Sequence, residues 1–273
     1  MQIKLGADPE IFVKNPNSGI YQSAHGMVPG TKYNPYVVPL GAIQVDGMAL
    51  EFNIDPVTNV DDWVKNINGV KDELARRVPG YILDAVPVAH FDPAYLASQP
   101  DEAKELGCEP DFNAWDNGRK NPRPNGDQPF RTGSGHIHVG WTEDADIRSK
   151  NHLADCMAVV RQMDYYLGIQ SLLWDKDGQR RSMYGKAGAF RPKSYGVEYR
   201  VLSNAWLKSD KLIRWVYEAS VLAVSDLAAG KIAEEQYGDL ARTIIDGSVL
   251  DWQERYPDLD NRLGSDRVLQ IAA

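Results

Sequence analysis

The chain has 273 residues, with 38 Asp and Glu against 30 Lys and Arg, for a net charge of −8. That length allows one large domain or two small ones, and a content of 43% hydrophobic and 25% charged residues is globular rather than disordered or fibrous. The acidic balance argues against a general nucleic-acid coat, which needs a basic face, but leaves room for a local basic pocket. Cys108 and Cys156 form neither a disulfide framework nor a CxxC pair for zinc, as expected in a reducing cytosol. The opening MQIKLGADPE has no basic-then-apolar leader, and no apolar run approaches the roughly 18 residues of a membrane span. A soluble, cytoplasmic protein is expected, with no membrane partner and no direct nucleic-acid binding.

In chain order, Ile11 and Val13 alternate with Glu10 and Phe12, the period of a strand. Residues 42–45 and 48–54 read as a hairpin around the turn Asp46-Gly47. Residues 58–77 have helical spacing, with Val60, Trp63, Val64, Ile67, Val70 and Leu74 on one side. Thr58 or Asn59 caps this helix and Pro79-Gly80 ends it. Residues 81–91 read as a strand. Residues 107–129, rich in Gly, Pro, Asn and Asp, read as a long loop, either a functional one bordering a site or a plain surface linker. Residues 130–141 read as one strand, 144–174 as a helix with a weak point at Gly168, and 197–202 as a strand. Ser209 caps a helix through about Leu227, and two shorter helices follow. With no repeat, low-complexity tract or clear linker, the simplest expectation is one α+β domain over 1–273.

Residues two apart on a strand share a face. On that basis Asp8 and Glu10 lie opposite Ile11 and Val13, and Glu51 and Asn53 lie opposite Leu50, Phe52 and Ile54. His136 and His138 lie opposite Ile137 and Val139, and Glu198 and Arg200 opposite Val197, Tyr199 and Val201. Each strand thus has an apolar face and a face of potential ligands. Taken singly, each has an ordinary reading: a turn residue, a solvated acid, a salt bridge. The coincidence of four is the signal. A sheet face of acids and imidazoles repels itself without a cation, and oxygen-rich sites suit Mg²⁺ or Mn²⁺, with histidine tilting the choice toward Mn²⁺.

Residues 180–200, RRSMYGKAGAFRPKSYGVEYR, hold six Arg or Lys against the single acid Glu198 in an acidic chain. Arg180, Arg181, Lys186, Arg191 and Lys193 on a glycine-rich backbone suit an oligophosphate cradle, although a solvated basic loop is the plainer reading. Divalent metals beside such a cradle point to phosphoryl transfer. No GxxxxGK[ST] loop, no GxGxxG after a strand, and no HRD or DFG is present, which excludes P-loop, Rossmann and kinase folds.

The order DPE, LExN, GSGHIHVG and RxxYGxxGxFRPKxYGxEYR, from about Gly6 to Trp206, resembles the carboxylate–amine ligases of the glutamine synthetase and glutamate–cysteine ligase superfamily. It is most similar to the phage-type COOH–NH₂ ligase family, type 2. The resemblance implies an α+β fold: a curved, mainly antiparallel sheet with helices packed on one face, holding ATP and two or three Mg²⁺ or Mn²⁺ ions. It implies a carboxylate phosphorylated by ATP to an acyl phosphate, then attacked by an amine to give an amide, ADP and phosphate. It places Glu10, Asp8, Glu51, His136 and Glu198 as metal ligands, with Asp8 standing where the superfamily has a longer Glu. It places His138 beside the nucleotide, and Arg191 and Arg200 as phosphate- or substrate-contacting, catalytic arginines. Arg180, Arg181 and Lys186 complete the cradle. The substrates would be a small carboxylate and an amine, either of them an amino acid or a protein-borne group. The separate N-terminal β-grasp domain of glutamine synthetase has no counterpart here, which leaves the amine site and the oligomeric state open, a homo-oligomer included. The competing expectation is a metal-dependent hydrolase using the same acids and histidines, which would not need the arginine-rich segment.

Overall fold

Among the described residues, short alternating strands build two large antiparallel sheets and a third of two strands. The computed structural model describes residues 3–104, 111–122 and 128–272. Cys108, and residues 107–110 and 123–127 of the expected loop, lie outside the described residues. The first sheet has the order Lys4–Ala7, Ile137–Gly140, Gly196–Tyr199, Ala189–Lys193, Phe112–Asn113, Arg119–Lys120. The second has the order Tyr21–Gln22, Glu10–Lys14, Ala49–Ile54, Gly41–Asp46, Tyr36–Val38, with Ile82–Asp84 also paired to Glu10–Lys14. Asp8-Pro9 carries the chain from one sheet to the other. Around that joint Leu5 and Val57 exchange two backbone hydrogen bonds of 2.8 Å, Glu10 N donates to Ser134 O at 2.9 Å, and Phe52 N donates to Pro9 O at 3.2 Å. These bonds stitch the sheets into one curled surface.

The helices Val60–Arg77, Lys150–Met163 and Asp210–Ala228 cover the apolar face of that surface. Asn59 caps the first, its side chain accepting from Asp62 N at 2.8 Å. Ser209 caps the last, accepting from Leu212 N at 3.3 Å. Trp63, Ile67, Val70 and Leu74 are buried as their spacing predicts. The Trp63 indole donates to Ile213 O at 2.9 Å and stacks on Trp206 at 6.0 Å. Leu5, Ile11, Phe52, Ile137 and Val197 from both sheets share this core. The expected α+β class is therefore what the chain forms. No helix among the described residues is long and apolar enough to cross a membrane.

The element boundaries differ from expectation where backbone chemistry interrupts a continuing pattern. The hairpin turns on Gly47-Met48, because Asp46 pairs with Ala49; Gly47 takes φ 57° at the first central position, which glycine accommodates. Residues 81–91 split into Ile82–Asp84 and Val88–His90 around Pro87, which has no N–H for a ladder. Residues 130–141 split into Phe130–Thr132, paired with Val88–His90, and Ile137–Gly140. The break is Gly133-Ser134-Gly135. A Cβ on Gly135 would stand 2.3 Å from Ser203 O, and one on Gly133 would stand 2.4 Å from Asn204 Nδ2. The middle helix starts at Lys150 rather than Asp144, which sits at φ 51°. Its expected weak point falls within a π-helical stretch, Asp164–Gly168. Residues 111–122 of the expected loop include two short strands that extend the first sheet. Five short helices, not two, close the described chain after Ala228.

Candidate active site

The face opposite the helices is where the ligand-bearing sides of the strands meet. In the first sheet Gly6, His138, Glu198 and Arg191 form one cross-strand row. In the second, Glu10 lies directly opposite Glu51, which lies opposite Gln44. The curl brings the two rows to one cavity of about 860 Å³. Asp8, Glu10, Glu51, His136, His138, Arg191, Glu198 and Arg200 all line it. His136 and Arg200 stand one residue outside their strands, before Ile137 and after Tyr199, yet keep the alternation.

Asp8, His138 and Glu198 each place a ligand atom within 4.8 Å of the other two. Asp8 Oδ1 is 3.0 Å from His138 Nε2 and 3.4 Å from His136 Nδ1. Asp8 Oδ1, His138 Nε2 and Glu198 Oε2 are buried and lack a well-aligned hydrogen bond among the described residues. Lys193 Nζ stands 2.8 Å from Glu198 Oε2. Buried oxygen and nitrogen donors that converge on one point are what a divalent cation would satisfy, so the residues present fit the metal. His136 and His138 both stand beside Asp8, and their other contacts differ. His138 Nε2 joins the acids while its Nδ1 meets the Tyr195 hydroxyl, whereas His136 Nδ1 stands 3.1 Å from Arg200 Nη1.

The electrostatics divide the cavity. Burial opposes the Asp8 charge, but His138 and His136 outweigh it and hold this carboxyl well below its usual range. Burial also opposes the Glu198 charge, and Arg200 outweighs it, bringing the carboxyl down to about 2. Burial and Arg200 push His136 down to about 4, which keeps it neutral. For His138 burial works downward, but the Asp8 charge raises it. Glu10 is pushed up to about 7 by burial and by Asp46, and Glu51 well above its usual value by burial and then by Asp8, Asp46 and Glu10. Like charges directly opposite on a ladder repel. The Glu10–Glu51 pair therefore holds a proton or a cation.

Arg200 is clamped from three sides. Its Nε donates to Asp111 Oδ1 at 2.5 Å, its Nη1 to Glu198, and the same Nη1 meets His136. Arg191 lies 3.9 Å from both Asp111 and Glu198. Asp111 was not expected here, because its Gly- and Pro-rich surroundings read as loop. Asp46 was not expected because Asp-Gly reads as a turn, yet the register keeps it in a strand at the cavity wall.

The cradle expected of Arg180, Arg181 and Lys186 does not form on this cavity. Arg180 donates to the backbone carbonyls of Val201 and Arg200, and Arg181 reaches Ser248 and Asp175. In the glycine-rich turn, Ala187 N donates to Asp246 and Gly188 N to Asp164. Amides already bound to carboxylates have no place for a phosphate. Arg180 does line a smaller adjoining cavity with Arg131, Arg200, Glu10 and His136. A larger groove, about 970 Å³, lies on the helical side, where Lys231 pairs with Asp226 and Arg267 with Glu218.

No curated protein matches the chain. A solved chain described as a novel glutamine synthase homolog aligns at 12% identity with a TM-score of 0.46. The alignment covers 99% of this chain and 65% of that one, so this chain spans less than two thirds of its length. Residues 125–243 match the family described as phage phiEco32-like COOH.NH2 ligase-type 2, a stretch that takes in His136, His138, Arg191, Glu198 and Arg200 and begins after Asp8, Glu10 and Glu51. Over residues 125–243 the chain thus carries the pattern of the COOH–NH₂ ligase type 2 family, the resemblance drawn from its motifs.

Proposed function

We propose that the protein is an ATP-dependent carboxylate–amine ligase working as one catalytic unit. Its substrates are a small carboxylate and an amine, and its products an amide, ADP and phosphate. The observation that carries this reading is the single cavity holding a convergent Asp8–His138–Glu198 donor set beside Arg191 and Arg200. The family match over residues 125–243 supports the bond type.

Asp8, His138 and Glu198 would hold one Mg²⁺ or Mn²⁺, and Glu10 and Glu51 with Asp46 would hold another. Cations held there would supply positive charge to phosphate oxygens. Arg191 grips the transferring phosphoryl group through its planar fork, and Arg200, held by Asp111 and Glu198, adds positive charge beside it. The adjoining cavity, walled by Arg131, Arg180 and Arg200 and by the acids Glu10, Asp46 and Asp111, borders this site. A carboxylate oxygen attacks the γ-phosphorus, ADP leaves, and an acyl phosphate forms. The amine then attacks the acyl carbon and phosphate leaves. The phosphorylation turns a poor acyl donor into a good one.

The test is a screen for ADP release over pooled carboxylates and amines with Mg²⁺ or Mn²⁺. Release that needs both substrates supports the ligase. Amide hydrolysis that proceeds without nucleotide would replace the reading with a metal-dependent hydrolase.

A further inference from the structure

Behind the catalytic sheet, on its helical side, Asp164 is buried with no exposure at all. Its Oδ2 accepts from Trp115 Nε1 at 2.6 Å and from Gly188 N at 2.7 Å, and its Oδ1 accepts from the Tyr199 hydroxyl at 2.8 Å. None of these partners is cationic, and the charged neighbour that acts on it, Asp246, is another acid. A buried carboxylate without a counter-charge opposes folding unless its hydrogen bonds are complete, and here three donors complete them.

Each donor belongs to a segment that ends in the cavity. Tyr199 sits between Glu198 and Arg200, with its side chain on the opposite face of the sheet. Gly188 immediately precedes Ala189–Lys193, the strand of Arg191 and Lys193. Trp115 follows the short strand that leads from Asp111, the clamp on Arg200. We infer that Asp164 is a positioning residue, tying these three segments together from behind and so setting where Arg191 and Arg200 stand in the cavity and where Asp111 stands beside Arg200. The inference rests on the ligase reading for its catalytic consequence and on the three bonds for its geometry.

The local helix geometry serves this contact. From Asp164 to Gly168 the helix widens, and Ile169 N reaches back five residues to Asp164 O. A wide turn of this kind often marks a functional position. Gly168 is what lets the turn approach the sheet: a Cβ there would stand 2.8 Å from the Tyr199 hydroxyl and 2.6 Å from Ile245. The weak point that glycine makes in the helical pattern is thus the place where helix and catalytic strand touch.

The test compares Asp164→Ala with Asp164→Asn in the full chain. Asparagine can still accept from Trp115 and Gly188 and meet Tyr199 through its amide, whereas alanine does none of this. The expectation is that Asp164→Ala lowers kcat for ADP release by roughly 10–100-fold, the usual cost of removing an orienting partner. Mn²⁺ affinity should be kept, and Asp164→Asn should recover most of the rate. A folded Asp164→Ala variant with wild-type kcat, or equal losses in both variants, overturns the inference. If alanine prevents folding, Tyr199→Phe and Trp115→Phe each remove one bond; partial loss of kcat supports the inference and wild-type kcat in both overturns it. If the wild type releases no ADP with any substrate pair, the ligase reading fails by itself. The inference is then judged by amide hydrogen exchange in Ala189–Lys193 and Gly196–Tyr199, which needs no substrate. Faster exchange in the alanine variant than in the asparagine variant sustains it, and unchanged protection overturns it.

Discussion

Glu10 and Glu51 face one another across neighbouring strands, with Asp46 close by; burial raises both carboxyls, aided by Asp46 at Glu10 and by Asp8, Asp46 and Glu10 at Glu51. Glu10 is raised to about 7 from 4.5. Between those values the folded chain keeps a proton that the unfolded chain releases, so stability falls as pH rises through that window. Glu10→Gln removes this contribution. In chelator, the variant should unfold at higher denaturant than the wild type near pH 8 and at similar denaturant near pH 4, while binding Mn²⁺ more weakly; parallel pH profiles would refute the pairing. Arg191 and Arg200 separate differently from what their shared segment suggests. Arg200 holds the Glu198 carboxyl down, so removing it disturbs a proposed metal donor, while Arg191 pairs with Glu198 more loosely, at 3.9 Å. Arg191→Ala should slow ADP release on the order of 10³-fold with Mn²⁺ affinity unchanged in calorimetry. Arg200→Ala should weaken both, and lysine at either position should restore only part of the rate, having charge without the fork. The donor types were legible from period-two alternation, because alternation fixes which side chains share a face. It does not fix depth or partner, so the contact of His136 with Arg200, that of His138 with Asp8, and the clamp from Asp111 were not legible.

Alternation also ran on through places where the chain turns. The segment 130–141 keeps a strand-like pattern across Gly133-Ser134-Gly135, and only the crowding there reveals the break. That tripeptide does two things at once. Ser134 N donates to Glu10 Oε2 and Ser134 O accepts from Glu10 N, each at 2.9 Å, which locks an acid of the second sheet to the start of the histidine strand. The flanking glycines let Ser203, Asn204 and Trp206 close over it. Gly135→Ala should therefore force a backbone or indole shift, destabilising by about 1–3 kcal/mol, the usual cost of overpacking. The shift moves His136 and Glu10 together, so Mn²⁺ binding should weaken along with stability. Retained metal affinity at reduced stability would show that the joint supports the fold without setting the site. In the helices, by contrast, spacing and caps carried enough: Val60–Arg77 and Asp210–Ala228 fall within two residues of expectation, because their apolar stripes and their Asn59 and Ser209 caps act locally.

At the scale of the molecule, the two sheets have no separate cores. Leu5 and Ile137 of one, Ile11 and Phe52 of the other, and Trp63, Trp206 and Ile213 of the helical layer pack in one cluster that reaches Val268. Trp63 is its keystone, fully buried, bonded to Ile213 O and stacked on Trp206 across more than half of the sequence. A second, smaller cluster around Phe12, Met48 and Phe91 lies on the other side of the Glu10 strand, so that strand is covered on both faces. If the metal donors come from both sheets and both sheets share one core, binding and folding are the same equilibrium. The full chain should then unfold in one transition by near-UV and far-UV dichroism alike. Mn²⁺ at about a hundred times its dissociation constant should stabilise that whole transition by about 2.7 kcal/mol. Trp63→Phe keeps an aromatic face but loses the indole bond, and it should lower the midpoint for both probes together. Two separated transitions, only one of them sensitive to Mn²⁺, would mean that the sheets fold as independent units. The cavity between them would then be an interface rather than part of one domain.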